Sequence, residues 1–465
     1  MNKLSDNKLS FSIKSFYATG AISDVIMANI IGVLAFPLYV TGLGISPILI
    51  GYALSIPRLW DAVTDPLMGN ISDNSRLRWG RRRPYMFIGA ILGGLLCALL
   101  WMPPTSLSEQ GIFIYFLITS ILFFTAYTIY SVPFNALGYE LSNDYNERTS
   151  VMSYKTFFMN AGAAFILPSI LWLCMRPQFG NNLVEGARVV GVLFGGLVAV
   201  FGILAAIFSR EKLHKQNKIN ISSALKYTFS NKIFLLLSMI VVCVLIGILA
   251  VFPLVYFLNL SYIFPNDQSR TATAWFWYQT TYGVMGILGV PVINYLGQRF
   301  GKKPILLVGL TLISLMFPAS WFLFNPNYPW LQLVFAALVS PGLSFVWVLT
   351  SSMMADVCDL DELKTGLRRE GAYGSIFTLL VKIGVSVVML VSGYVLIIAG
   401  YDQKATIQTP ESVFNLRLFF VFLPIVFMVI AMILTFLYPL SKAKMEFIHQ
   451  QLNNQKSNAI DAEML

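Results

Sequence analysis

Histidine is nearly missing from this sequence: His214 and His449 are the only two, and both lie in polar stretches. With none inside an apolar run, an intramembrane histidine relay and a histidine-built zinc centre are excluded. Cysteine is scarce too. Cys97, Cys174, Cys243 and Cys358 sit in or beside apolar segments and form no C-x-x-C pair, so neither disulfides nor a thiolate metal site is expected. Charge is the third shortage, at 12% of residues, where soluble domains carry about 25%. There is no HExxH, and "FGKKP" lacks both the upstream glycine and the Ser/Thr of a phosphate loop, which argues against a zinc protease and an ATP-driven pump. A sensor would carry an added soluble domain, and the stretch after Pro439 is too short for one. No enzyme and no organic cofactor is expected.

What fills the chain instead is apolar sequence: 57% hydrophobic residues and a mean hydropathy of +0.70 over 465 residues. This is the composition of an all-α polytopic membrane protein, in which a span needs about 20 apolar residues. Twelve apolar segments are predicted, at 16–40, 46–69, 85–103, 111–137, 152–175, 187–208, 232–259, 272–296, 304–324, 330–354, 371–399 and 413–439, with kinks or breaks around Pro253 and Pro291. The first is long and follows Lys3, Lys8 and Lys14, so no cleavable signal is expected. With the N-terminus inside, twenty-four of the 32 lysines and arginines fall in inner segments, five in outer segments and three inside spans. That bias puts both termini in the cytoplasm, in the plasma membrane (the inner membrane if bacterial). The net charge of +10 is therefore a topology signal, and no nucleic-acid partner is implied.

The polar stretch 209–231 divides the spans six and six. Residues 1–208 and 232–440 form two expected halves, and 441–465 a cytoplasmic tail. The halves echo each other. "RWGRRRP" follows span two and "RFGKKP" follows span eight, their glycines Gly80 and Gly301 lying 221 residues apart. A second echo sets "NALGYELSNDYNERTSVMS" after span four against "MMADVCDLDELKTGLRREGAYGS" after span ten. Matched basic turns in two six-span halves indicate a parallel duplication about an axis along the membrane normal.

Ionisable residues inside the spans are few: Asp24, Arg58, Asp61, Asp65, Lys155 and Lys382. Each costs about 3 kcal/mol or more at mid-bilayer, so such residues usually serve function. Arg58, Asp61 and Asp65 follow at i, i+3 and i+7, which places them on one helix face. Two carboxylates one turn apart repel when both are ionised, so they share a proton or a cation. Hard oxygen ligands suit a monovalent ion, and Thr128 at matching depth on span four adds a hydroxyl. Plainer readings stand beside these. Asp65 can be an interfacial carboxylate, Lys155 can snorkel from near a span end, and Asp61 with Lys382 can be a static ion pair. Trp60, Trp101, Trp275, Trp277 and Trp330 read as interface anchors or packing, and Ser131 and Asn135 can simply bond neighbouring helices.

The inner-turn pair and the six-plus-six layout resemble the major facilitator superfamily. Within it, "RLWDAVTDPLMG", "YTIYSVPFNAL", "MMADVCDLDELKTGLRREGAYGS" and "LVKIGVS" resemble the glycoside–pentoside–hexuronide:cation symporter (melibiose-permease-like) family. The resemblance spans the whole chain and implies the major facilitator fold and secondary active symport of a sugar, glycoside or uronate with Na+ or H+. It places Asp61, Asp65 and Thr128 on the family's cation site, and Lys382 on its essential span-eleven lysine; Arg58 joins it as a coupling residue. Thr64 stands where the family example has asparagine, which leaves Na+ against H+ open. For the solute, Asp24 matches a sugar-binding aspartate and Trp347 a tryptophan. Ser131, Asn135 and Thr156 or its neighbour Lys155 replace an aspartate, a tryptophan and an arginine, so a galactoside specificity does not carry over. At the inner face, Asp73, Arg81, Arg82, Glu140 and Arg148, with Asp356, Asp359, Arg368 and Arg369, are expected to form salt bridges between the halves that close a gate. The partners are thus a small solute, a monovalent cation and the bilayer, with the protein a monomer. A proton-coupled antiporter or a lipid-type carrier on the same fold is the competing reading.

Overall fold

The computed structural model describes residues 9–142, 145–180, 182–209, 211, 231–366 and 369–464, and of 145, 146, 148, 370–372, 453 and 455–464 the backbone alone. Among the described residues every regular element is helical. In hydrocarbon a segment must satisfy its own backbone hydrogen bonds, and runs this apolar meet that demand as helices. In chain order they are α1 (Phe11–Ala35), α2 (Pro47–Asn74), α3 (Arg83–Leu100), α4 (Glu109–Glu140), α5 (Tyr145–Ala161), α6 (Leu167–Cys174), α7 (Leu183–Phe208), α8 (Lys232–Leu249), α9 (Leu254–Leu258), α10 (Gln268–Phe300), α11 (Lys302–Leu323), α12 (Gln332–Thr365), α13 (Glu370–Ile398), α14 (Pro410–Leu437) and α15 (Lys442–Met464). Among the described residues ten helical segments are long and apolar enough to cross a membrane. α2 and α10, of 28 and 33 residues, stand at the second and eighth predicted spans but are more polar and are not among the ten. The chain is thus an all-helical polytopic membrane protein, and a count of twelve spans rests on adding those two.

The two predicted breaks part company. The helix stops at Leu249 and restarts at Leu254 beside Pro253, whereas α10 runs unbroken through Pro291. Short π-helical segments interrupt the regular winding: Phe36–Gly42 extends α1, Gly162–Ile166 joins α5 to α6, and Asn259–Ile263 extends α9. The repeated turns carry the expected glycine geometry. Gly80 and Gly301 have φ of 118° and 90°, a region that other residues enter only at a cost. A side chain at Gly80 would also lie 2.5 Å from a Glu211 oxygen.

The chain packs as two compact units. The first comprises Met1–Asn217, Pro253–Gly283 and Ser386–Leu416, the second Lys218–Phe252, Val284–Val385 and Arg417–Leu465. Within the first, α2 lies along α4, α4 along α3, α3 along α7 and α7 along α1. The early part of α2 also crosses Ser386–Ile398 of α13 with little between the backbones. A Cβ on Gly51 would sit 3.2 Å from the Met389 carbonyl, and one on Gly393 only 2.5 Å from that of Pro47. Ser55 and Ser386 close the crossing with hydroxyls 2.6 Å apart. Small residues let transmembrane helices approach this closely. In the second unit α11 lies along α12, and α15 docks against α12 through buried Met445, Ile448 and Leu452.

Candidate cation and solute site

The α2–α4 packing brings the two carboxylates of α2 onto one hydroxyl of α4. Thr128 Oγ1 lies 2.7 Å from Asp61 Oδ1 and 3.1 Å from Asp65 Oδ1. The Thr64 hydroxyl is 3.2 Å from that of Thr128, and it donates to the Asp61 carbonyl at 3.3 Å. Asp61 is fully buried and Thr128 nearly so, while Thr64 and Asp65 are half-buried. Oxygens from Asp61, Thr64, Asp65 and Thr128 therefore converge. Thr64 belongs to this group by geometry, although its sequence signal was only a departure from the family's asparagine. Arg58, one turn before Asp61, donates to the Ala28 carbonyl of α1 and stacks over Phe124 of α4 at 4.5 Å. Trp60 donates to Thr125 at 2.9 Å and is 45% exposed, as a packing or anchoring residue would be.

A second polar group lies on α1, α4 and α5. Lys155 donates to the Asn135 amide oxygen and stands 5.2 Å from the Phe134 ring centre. Asn135 donates to the Ser131 carbonyl at 2.8 Å. Lys155 is within electrostatic reach of Asp24. Tyr127 is within reach of Asp24, Asp61 and Arg58 and bonds Ser131, so it stands between the two groups. Lys155 is half-buried and Thr156 exposed; of the two neighbours, Lys155 makes these contacts. Trp347 on α12 is 37% exposed and Lys382 on α13 half-buried, both in the second unit.

At the basic ends, Arg82 holds Glu140 with two bonds, Nε to Oε2 at 2.9 Å and Nη2 to Oε1 at 2.7 Å, and pairs with Asp73 at 2.8 Å. Arg81 reaches the same Glu140 at 2.8 Å. Burial works against the charge of Arg82, but Glu140, then Asp73 and Glu211, outweigh it and hold the guanidinium charged more firmly than usual. Glu211 was not singled out from sequence. Its carboxylate accepts from the Arg81 and Arg82 backbone N–H groups at 2.8 and 3.0 Å, and its position just past the last helix of the half, facing an arginine-rich turn, was the available signal. In the second half Lys302 pairs with Asp356 at 2.7 Å, Arg369 with Asp361 at 3.6 Å and His449 with Asp359 at 3.0 Å. Lys302 follows Gly301 as Arg81 follows Gly80, so the sequence echo extends to the pairing. Each of these described pairs lies within one half or joins a half to the segment that follows it in the chain. The Arg148 side chain and all of Arg368 lie outside the described residues.

Long apolar helices with a few converging buried charges among them suit a multi-span membrane transporter. The family model described as MFS/sugar transport protein matches residues 16–442, and the chain belongs to that family. It is 28% identical to a symporter of Synechocystis sp. over 98% of this chain and 99% of that one. It is 22% identical to the isoprimeverose transporter of Lactiplantibacillus pentosus, covering 96% and 90%. Among solved structures, a bacterial homologue of the human lysosomal transporter Spinster, inward-facing and unoccupied, matches the fold with a TM-score of 0.67 at 15% identity, over 95% of this chain and 97% of that one.

Proposed function

We propose that the transporter couples a sugar, glycoside or uronate to Na+ or H+ by alternating access, with Asp61, Asp65, Thr64 and Thr128 holding the cation. One observation carries the reading: a single Thr128 hydroxyl stands between two carboxyl oxygens. Its one hydrogen cannot serve both at full strength. Those oxygens lie within about 6 Å of each other, where two full charges repel by about 3 kcal/mol at an effective dielectric near 20. A proton on one carboxyl group, or a cation between them, removes that repulsion.

The solute is placed against Asp24, Ser131, Asn135 and Lys155, with Thr156 and Trp347 as further contacts. Arg58 and Lys382 respond to cation occupancy. Ion and solute favour the same conformations, so their affinities are linked reciprocally. The halves 1–208 and 232–440 move as the two bodies of the cycle, in a plasma or bacterial inner membrane, with both termini cytoplasmic and a monomer as the working unit. Asp73, Arg81, Arg82, Glu140 and Arg148, with Asp359, Arg368 and Arg369, brace the cytoplasmic ends and exchange partners between halves when that side closes.

The test is uptake into vesicles across neutral glycosides, pentosides and uronates, with a sodium or a proton gradient imposed separately. Wild type accumulates solute under one gradient and Asp61→Asn does not. An Asp61→Asn variant that still concentrates solute uphill removes the assignment.

A further inference from the structure

Five arginines crowd the turn between α2 and α3, and the structure uses them unequally. Arg81 and Arg82 are taken up by Glu140, Asp73 and Glu211. Arg83 donates to the carbonyls of Ala206 and Ile207 and stacks on Trp79 at 4.9 Å. Arg76 and Arg78 are exposed, and neither has an ion-pair partner among the described residues. Between and beside them stand apolar groups equally exposed, Leu77 at 51% and Trp79 at 39%. These are held in place: the Gly80 N–H bonds the Leu77 carbonyl at 3.1 Å, and Phe87 packs edge-on to the Trp79 ring at 5.3 Å.

The same end of α2 carries an exposed apolar stripe, Val63, Leu67 and Ile71. At i, i+4 and i+8 these share one helix face, which suits an acyl chain lying along it. Membrane topology alone asks only for positive charge on this turn. It does not ask for an exposed leucine and a fixed tryptophan set among two unengaged guanidinium groups. Tryptophan settles at headgroup level, and arginine is a strong bidentate partner for phosphate.

We propose that Arg76, Leu77, Arg78 and Trp79 form a binding site for an anionic phospholipid. Arg76 and Arg78 engage its phosphate-bearing headgroup, the Trp79 indole lies at the glycerol level, and the α2 stripe receives an acyl chain. The site is independent of the cation and solute reading. It ties the lipid to the helix that carries Asp61 and Asp65.

The full-length protein, equilibrated with mixed phosphatidylglycerol and phosphatidylcholine micelles, is assayed for retained lipid by native mass spectrometry. Wild type retains phosphatidylglycerol preferentially. Arg76→Gln with Arg78→Gln lowers that preference by roughly 30-fold, at about fivefold per basic residue near a surface. Its melting temperature is unchanged, because neither side chain bonds another of the described residues. Arg76→Lys with Arg78→Lys, which keeps the charge and loses the bidentate fork, falls between wild type and the glutamine variant, and Lys444→Gln, exposed on α15, leaves the preference intact. A double glutamine variant with the wild-type preference overturns the proposal. So does displacement of phosphatidylglycerol by millimolar inorganic phosphate, which would mark a site for the free anion.

Discussion

Replacing Thr128 by valine keeps the side-chain outline and removes the hydroxyl that touches Asp61 at 2.7 Å and Asp65 at 3.1 Å. A hydrogen bond to a charged group contributes about 1.5–3 kcal/mol, and each 1.4 kcal/mol is about tenfold in an equilibrium constant. The curve that changes identifies the ion. If the ligand is Na+, the variant loses one of its oxygens, and the half-saturating Na+ concentration for uptake rises about tenfold to 150-fold. If the ligand is H+, the sodium curve stays where it was and the loss of the hydroxyl shows in the pH dependence of proton-driven uptake. Thr128→Ser restores the hydroxyl and stays close to wild type in either case. The assay is initial uptake into vesicles as a function of Na+ at fixed pH, and of pH without Na+. A valine variant within twofold of wild type in its sodium curve and unshifted in its pH curve would refute the role of this hydroxyl.

Lys155→Met should raise the half-saturating solute concentration about tenfold, the value of one charge-assisted hydrogen bond, while Thr156→Val, altering an exposed side chain, shifts it less than twofold; the reverse order would move the solute contact to Thr156. Glu140→Gln should lower stability by about 3 kcal/mol, the low end for breaking a buried ion pair, since Asp73 still neutralises Arg82. Unfolding in detergent reads this out, and an unchanged melting temperature would remove Glu140 as the brace.

The sequence by itself determined that the chain is a helical membrane protein and where its turns need glycine, and it singled out the few charges on α2. Those are local properties: hydropathy adds along a segment, and a left-handed turn or a buried carboxylate is costly wherever it occurs. The glycines at 80 and 301 and the cluster on α2 were legible for that reason. Pro253 and Pro291 already show the limit, since one accompanies a break and the other rides inside a helix.

Only the tertiary structure decided which side chains meet. Lys155 and Thr156 are adjacent in sequence and about 100° apart around the helix, and with polar residues on more than one side of α5 the pattern does not say which of the two turns inward. The same holds for Thr64 joining Thr128, for Glu211 capping the arginine turn, and for Arg76 and Arg78 facing out while Arg81 and Arg82 face in. Each depends on how α2, α3, α4 and α7 are rotated and set against one another, which is a property of helix packing and not of any single segment.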